Sequence, residues 1–349
     1  MEHYDVVVVG GGIAGVSIAH ELAADRSVCV LEAEDELARH TTGRSAATWV
    51  AGYGPAGVQE LTLLSRAFFD DPPLDVDGAL ATPLPCLYVG TAETPDAEAS
   101  AAEVVAATGA SALTPEEAER LLPVLRPGVV TTAVLDPTCA ELDVHGLHQG
   151  FVRGLRARGG VVRRRARVLS ARRRVGRWSV GTTDGDLSAD VVVNAAGAWA
   201  DQVGRVFGSE GHALEARRRS VFVSPTREPL RDLPFTCDLA GGWYAKPEGD
   251  AVLCSPEDAE PHPPGDPRPD ELEVARALEA INEVTTLGLR SVRTSWAGLR
   301  VFAPHGEPVA AWDEEVPQLF WLAGLGGYGI QVAPALAARS AELVLAASR

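Results

Sequence analysis

The residues best placed to do chemistry stand near the start of the chain. Gly10-Gly11-Gly12-Ile13-Ala14-Gly15 is a G-x-G-x-x-G, and Glu32 closes the next apolar run. In that arrangement Gly10 allows a tight turn, Gly12 lets the backbone approach a pyrophosphate, and Gly15 lets a helix pack close to a strand. The helix N-terminus then faces the phosphates, while the Glu32 carboxylate accepts ribose hydroxyls. An acid at this place favours an unphosphorylated ribose, so FAD or NAD rather than NADP.

The elements that must position these residues follow from local pattern. Val6-Val7-Val8-Val9 is an unbroken β-branched run, which suits a strand buried on both faces of a parallel sheet. Val16–Leu22 has helical spacing, Val28–Leu31 is a second strand, and Arg39–Ala47 is a small, polar loop with neither period. A helix over 59–69, a surface connection over 70–77, a strand at Cys86–Val89 and a helix over 101–107 come next. Thr114-Pro115-Glu116-Glu117 is a capping box that starts another helix, and a strand over 129–135 follows. The pattern predicts a helix over 142–158, then an Arg-rich β meander over 161–180 with solvated faces and a turn at Asp184-Gly185. The meander leads to the strand Asp190–Asn194, whose small-residue turn Ala195–Trp199 would let a dinucleotide lie close to the backbone a second time.

From Ser220 to Arg300 the texture becomes β-rich, with a strand over 220–224 and a hairpin around Pro247-Glu248-Gly249-Asp250. A proline-rich loop over 261–269 and a helix over 272–281 complete that stretch. Leu319–Ala323 reads as a buried strand entering the Gly-rich turn Gly324–Gln331. A helix then runs to about Ala347, with Pro334 tolerable only in its first turn.

At 349 residues and 46% hydrophobic content, the chain can build two domains, each with its own core. No secretory signal is expected, since Glu2 and Asp5 flank a run too short for one, and no apolar stretch reads as an integral membrane segment. The five cysteines are scattered, odd in number and never in C-x-x-C, which predicts reduced thiols in a cytoplasmic protein and no metal site. A net charge of -17 disfavours nucleic acid, whose phosphates would be repelled.

Thr42-Gly43-Arg44-Ser45-Ala46-Ala47, Val193–Trp199, Trp296-Ala297-Gly298-Leu299-Arg300 and Gly326–Gln331 join the N-terminal motif. Together they resemble the FAD-dependent D-amino-acid oxidase superfamily over essentially the whole length. Within it, the chain is most similar to the D-arginine dehydrogenase type of amino-acid dehydrogenase. The resemblance implies an α/β fold: a Rossmann-type FAD-binding domain from 1–50, 140–215 and 303–349, and a discontinuous α+β substrate domain from 51–139 and 216–302 on an antiparallel sheet.

It also implies site residues. Gly10, Gly12, Ile13, Ala14, Gly15, Glu32 and Ala33 would hold the nucleotide, with Val168 meeting the adenine through its backbone and Gly197 beside them. Thr41, Thr42, Gly43, Arg44, Ser45, Ala46, Ala47 and Thr48 would run along the flavin. Gly327, Tyr328, Gly329, Ile330 and Gln331 would touch the isoalloxazine, where a Gly-rich turn feeding a helix offers N–H groups and a positive dipole end to a negatively charged reduced ring. Relatives that anchor flavin covalently use a cysteine near 297–301, and none occurs there, so non-covalent FAD is expected.

The implied reaction is oxidation of a C–H next to an amine, with hydride passing to flavin N5. The imine formed would hydrolyse to a 2-oxo acid and ammonia. Arg219 and Arg300 stand where the family grips the substrate carboxylate, and Arg300 has apolar neighbours that leave it in need of a partner. Tyr53 and Tyr244 match hydroxyls lining the substrate cavity. Two departures bear on specificity. Cys86 replaces an acid that meets a cationic side chain, and Thr48, followed by Trp49, replaces a histidine. Both favour a neutral or apolar side chain over arginine or lysine. The only lysine, Lys246, does not fall where oxygen-using relatives hold one over the flavin, which favours a quinone or another acceptor over O2. The alternatives are oxidation of a secondary amine such as sarcosine, oxidation of a specialised amino acid in a biosynthetic pathway, and a scaffold subunit acting through partners.

Overall fold

The computed structural model describes residues 1–228, 230 and 233–347. The valine run lies in the strand Glu2–Val9, paired in parallel with Val28–Leu31 on one side and Gly185–Asn194 on the other. Val6 and Val8 enter a core with the helices Ile13–Leu22 and Gly329–Ala347, while Val7 and Val9 enter a second core with Trp178, Phe207 and Trp321. Each buried valine contributes roughly 1.5–3 kcal/mol, so four in succession require cover on both faces. Gly10 turns out of this strand at φ +112, and a Cβ on Gly15 would sit 1.9 Å from the Gly10 carbonyl oxygen. No larger residue fits there.

Five strands are parallel: Val161–Arg163, Val28–Leu31, Glu2–Val9, Gly185–Asn194 and Leu319–Ala323. Gly185–Asn194 is shared, its first half pairing with the antiparallel Arg177–Thr182 and its last residues with Leu319–Trp321. Val161–Arg163 thus departs from the expected meander, which begins only at Val168–Arg174. The helix Val144–Ala157 before it acts as a crossover and returns the chain to the parallel edge.

A second sheet of nine strands takes Cys86–Thr91, Ser111–Leu113, Val130–Asp136, Glu215–Pro225, Phe235–Asp238, Tyr244–Glu248, Ala251–Ser255, Thr294–Phe302 and Leu325–Gly326. The sheet is not wholly antiparallel, because Phe235–Asp238 runs parallel to Cys86–Thr91. Leu325–Gly326, from a segment expected in the other domain, pairs with Thr294–Phe302 and joins this sheet. Val309–Trp312 pairs antiparallel with Leu319–Ala323 at the other edge of the first sheet, and a small sheet of Thr48–Trp49, Ala140–Leu142 and Ala81–Pro83 completes the named strands among the described residues.

Pro334 falls in the second turn of Gly329–Ala347 rather than the first, leaving the Ile330 carbonyl without its helical donor. This 19-residue helix is long and apolar enough to cross a membrane by composition, which the sequence reading did not anticipate. Its apolarity is used internally, since it packs between Ile13–Leu22 and Ala56–Asp70.

Candidate active site

The carboxyl ends of the central parallel strands open onto a channel with two lobes, which share Gly12, Thr41, Thr42, Ala195 and Gly197. In the first lobe lie Gly10, Glu32, Ala33 and Val168. Glu32 is fixed by two amides: Oε2 accepts from Gly11 at 2.8 Å and Oε1 from Glu34 at 2.9 Å. Each oxygen keeps a lone pair for a ribose hydroxyl. Where the lobes meet, Gly12, Ile13 and Ala14 present the start of the helix Ile13–Leu22, and Thr42 Oγ1 accepts the Ile13 N–H at 3.0 Å.

The second lobe is walled by Ala46, Val221, Leu299 and Leu322, with Gly327, Gly329 and Ile330 at the start of the last helix. Arg219, Tyr244 and Arg300 line it from the second sheet, and Thr41, Thr42, Arg44 and Ser45 from the loop opposite. Along Glu215–Pro225, alternation sends Arg218 to Asp258 and Asp270, and Arg219 into the channel. Arg219 Nη1 meets Glu257 Oε2 at 3.0 Å, and its buried Nε has no partner among the described residues. Arg300 Nη1 donates to Tyr53 Oη at 3.1 Å at the rim, where Tyr53 is 37% exposed. Burial opposes the Arg300 charge, yet Tyr53, Tyr244 and the carboxylates of Glu257 and Asp258 hold its pKa above the usual value. The Tyr244 hydroxyl is buried near Ser255 with no hydrogen bond in good geometry among the described residues, and burial pushes its pKa up against the pull of Arg300 and Arg219. It is therefore a neutral donor at physiological pH.

Several expected residues act through structure. Thr41 Oγ1 donates to the Leu299 carbonyl and Arg44 Nη1 to the Ala297 carbonyl, both at 2.7 Å. Arg44 also pairs with Asp266 at 2.6 Å, and Trp296 Nε1 donates to the Arg44 carbonyl. Their side chains tie the loop to the second sheet, while Thr41, Arg44 and Ser45 border the channel. Gly15, Gly43, Ala47, Thr48, Tyr53, Tyr328 and Gln331 do not line it, and Tyr53, expected as a cavity hydroxyl, reaches it only through its bond to Arg300. Gly43 lies under Ala38, and Thr48 pairs with Glu141. Tyr328 donates to the Gly306 carbonyl at 2.6 Å, and Gln331 clamps Val50 and Thr62.

Glu257 escaped the sequence reading because it belongs to no motif. Val221 could have been found by counting two along the strand from Arg219. Trp199 lies in a quoted motif but had no role; its ring packs on His40 at 4.6 Å and it borders the first lobe. Cys86 is fully buried with Cys237 Sγ at 3.7 Å, in an apolar cluster that also holds Tyr244 and Val221. Lys246 is paired with Glu141 and Glu248 and does not line the channel.

The channel suits FAD on its own terms. It runs through two joined lobes, carries a fixed acid at one end and a helix N-terminus in the middle, and ends in an apolar lobe where Arg219 and Tyr244 hold polar atoms without partners among the described residues.

Comparison with known proteins agrees. The family model described as FAD dependent oxidoreductase matches residues 5–343. Human dimethylglycine dehydrogenase is 27% identical over 266 residues, covering 73% of this chain and 31% of that protein. The chain thus spans about a third of the length of that relative. Glycine oxidase of Pseudomonas putida is 28% identical over 329 residues, covering 87% of this chain and 84% of that protein. Among solved structures, glycine oxidase from Geobacillus kaustophilus superposes with a TM-score of 0.84 at 21% identity, covering 99% of this chain and 95% of that one. FAD-bound L-α-glycerophosphate oxidase from Mycoplasma pneumoniae gives 0.90 at 17% identity, with the same coverage. These two share the fold.

Proposed function

Because the chain belongs to the FAD dependent oxidoreductase family, we propose that it oxidises the C–N bond of an amino acid, giving an imine that hydrolyses to a 2-oxo acid and ammonia. The substrate is a D-amino acid with a neutral or apolar side chain, and FAD is held non-covalently. One observation carries this reading: Arg300 enters the apolar lobe with only a tyrosine hydroxyl as partner and no ion pair among the described residues. A guanidinium so placed calls for a carboxylate, which it grips with two parallel bonds.

Bound FAD supplies the two-electron acceptor for the hydride that leaves the carbon bearing nitrogen. Arg300 orients the carboxylate, and the Tyr244 hydroxyl donates a second bond to it. Tyr53 holds Arg300 in place from the rim. The apolar walls exclude water, which strengthens each of these contacts. Cys86 lies behind the wall formed by Val221 and Tyr244, and the lobe's walls of Ala46, Val221, Leu299 and Leu322 offer no charge to a cationic side chain, supporting a neutral substrate.

Glycine oxidase and dimethylglycine dehydrogenase act on amines that differ in N-substitution, as their names state. That similarity favours a second reading, a secondary or tertiary amine such as an N-methylglycine. Lys246, committed to two carboxylates outside the channel, supports a quinone or another acceptor over O2. Five free cysteines support a cytoplasmic location.

Anaerobic titration of the purified yellow protein with D- and L-amino acids and their N-methyl forms, read by flavin absorbance, tests the reading. Bleaching by neutral D-amino acids is expected. D-arginine as best substrate would overturn the side-chain assignment, and preferential bleaching by N-methyl amines would favour the second reading. Rapid reoxidation in air would overturn the acceptor. A colourless protein that refuses FAD would end the account.

A further inference from the structure

Two adjacent arginines on Glu215–Pro225 face two adjacent acids in the loop after Ala251–Ser255. Arg218 turns away from the channel to Asp258 and Asp270, at 3.0 and 2.8 Å. Asp258 also accepts the Ser220 N–H and hydroxyl, so it has a part in holding the fold. The Glu257 carboxylate has one partner among the described residues, Arg219 in the channel wall, at 3.0 Å. It is held there by backbone in the left-handed region, φ +55, with its N–H bonded to Ser255 Oγ at 3.1 Å. Few residues with a side chain adopt that conformation.

The charges of the second lobe then sort themselves. Arg44 is matched by Asp266 and Arg219 by Glu257, whereas Arg300 has no carboxylate of its own within ion-pair distance among the described residues. One positive charge is left for a ligand to meet. The other buried atoms awaiting partners, Arg219 Nε and Tyr244 Oη, can take polar but uncharged groups or share the same carboxylate.

We propose that Glu257 is a specificity-determining residue: by neutralising Arg219 it makes the site accept amino acids with one carboxylate and reject those with a second. The inference rests on the proposed function. Arg219 pairs opposite Gly298, two positions from Arg300 on the neighbouring strand, and both arginines line the lobe. A dicarboxylate seated on Arg300 would bring its second carboxylate toward Arg219, where Glu257 already stands, and like charges in a water-poor cavity repel. Glu257 works through Arg219 and is a positioning residue for it.

Butyrate and succinate are a matched test pair, equal in carbon number, not oxidisable as amines, and different by one carboxylate. Each is titrated into the FAD-loaded protein while the flavin absorbance is followed. The wild type should bind butyrate at least tenfold more tightly than succinate. Glu257→Gln should close that gap at least tenfold, by tightening succinate while butyrate changes less than threefold. Glu257→Ala serves if the glutamine variant does not retain FAD. A purely structural Glu257 would weaken both ligands together, and that result overturns the proposal, as does wild-type binding of succinate equal to that of butyrate. If neither ligand perturbs the flavin and no amino acid reduces it, the proposed function falls as well. If amino acids reduce the flavin but the ratio is flat, only the role of Glu257 falls.

Discussion

Arg300 Nη1 and the Tyr53 hydroxyl lie 3.1 Å apart, and this bond is the one polar contact holding that guanidinium among the described residues. The arginine reaches the lobe from the strand Thr294–Phe302, the tyrosine from the loop before the helix Ala56–Asp70. Replacing Arg300 by lysine keeps the charge but loses the fork. One charge-assisted contact is worth roughly 1.5–3 kcal/mol, so kcat/KM should fall about ten- to a hundredfold in steady-state assays with an artificial acceptor. Arg300→Leu should fall further, and undiminished turnover would remove the chemistry assigned to it.

Tyr244→Phe should separate stability from activity. Its hydroxyl is buried without a hydrogen-bond partner among the described residues, a state that costs about 1–3 kcal/mol in the free protein. Thermal unfolding of the variant should therefore occur at the same temperature or higher, while kcat/KM drops about tenfold through loss of one hydrogen bond to substrate. A lower Tm would show that the hydroxyl has a structural partner.

His20 should make the protein acid-sensitive. Burial, helped by the nearby Arg158 guanidinium, pushes its imidazole down to about 4. The unfolded chain binds a proton near its ordinary value of about 6.5 while the folded protein does not. The stabilising effect is thus complete above pH 6.5 and is lost as pH falls toward 4, amounting to ~3 kcal/mol at most. The Tm difference between His20→Gln and wild type, measured from pH 7 to 4, should narrow or reverse across this window. A constant difference would disprove the assignment.

Glu32→Gln should weaken FAD binding. The carboxylate accepts from two backbone amides, and the new NH2 group would confront one of those donors. A tenfold or greater rise in the FAD Kd, read by flavin fluorescence, is expected from the loss of a charge-assisted bond.

The nucleotide half was legible because its chemistry is carried by local sequence. The turn Gly10–Gly15, the valine run and the acid at Glu32 each act on neighbours a few residues away. The amine half was legible only where strand alternation or a family motif marked a residue, as for Arg219, Tyr244 and Arg300. Glu257 meets Arg219 across 38 positions, and nothing local announces such a contact. Likewise Gln331 and Tyr328 sit inside a motif that borders the channel but turn inward to Val50, Thr62 and Gly306, because side-chain direction at a helix start is set by tertiary packing. Val161–Arg163 was misplaced because three residues after a helix look alike whether they open a meander or add a parallel edge.

Leu319–Ala323 belongs to the parallel sheet and Leu325–Gly326 to the nine-stranded one, with Gly324 alone between them. The strand pairings of Leu319 with Val192 and of Gly326 with Val301 therefore meet at one residue in left-handed backbone, φ +74. A change of angle between the two sheets along this path bends the chain at Gly324 while both pairings persist.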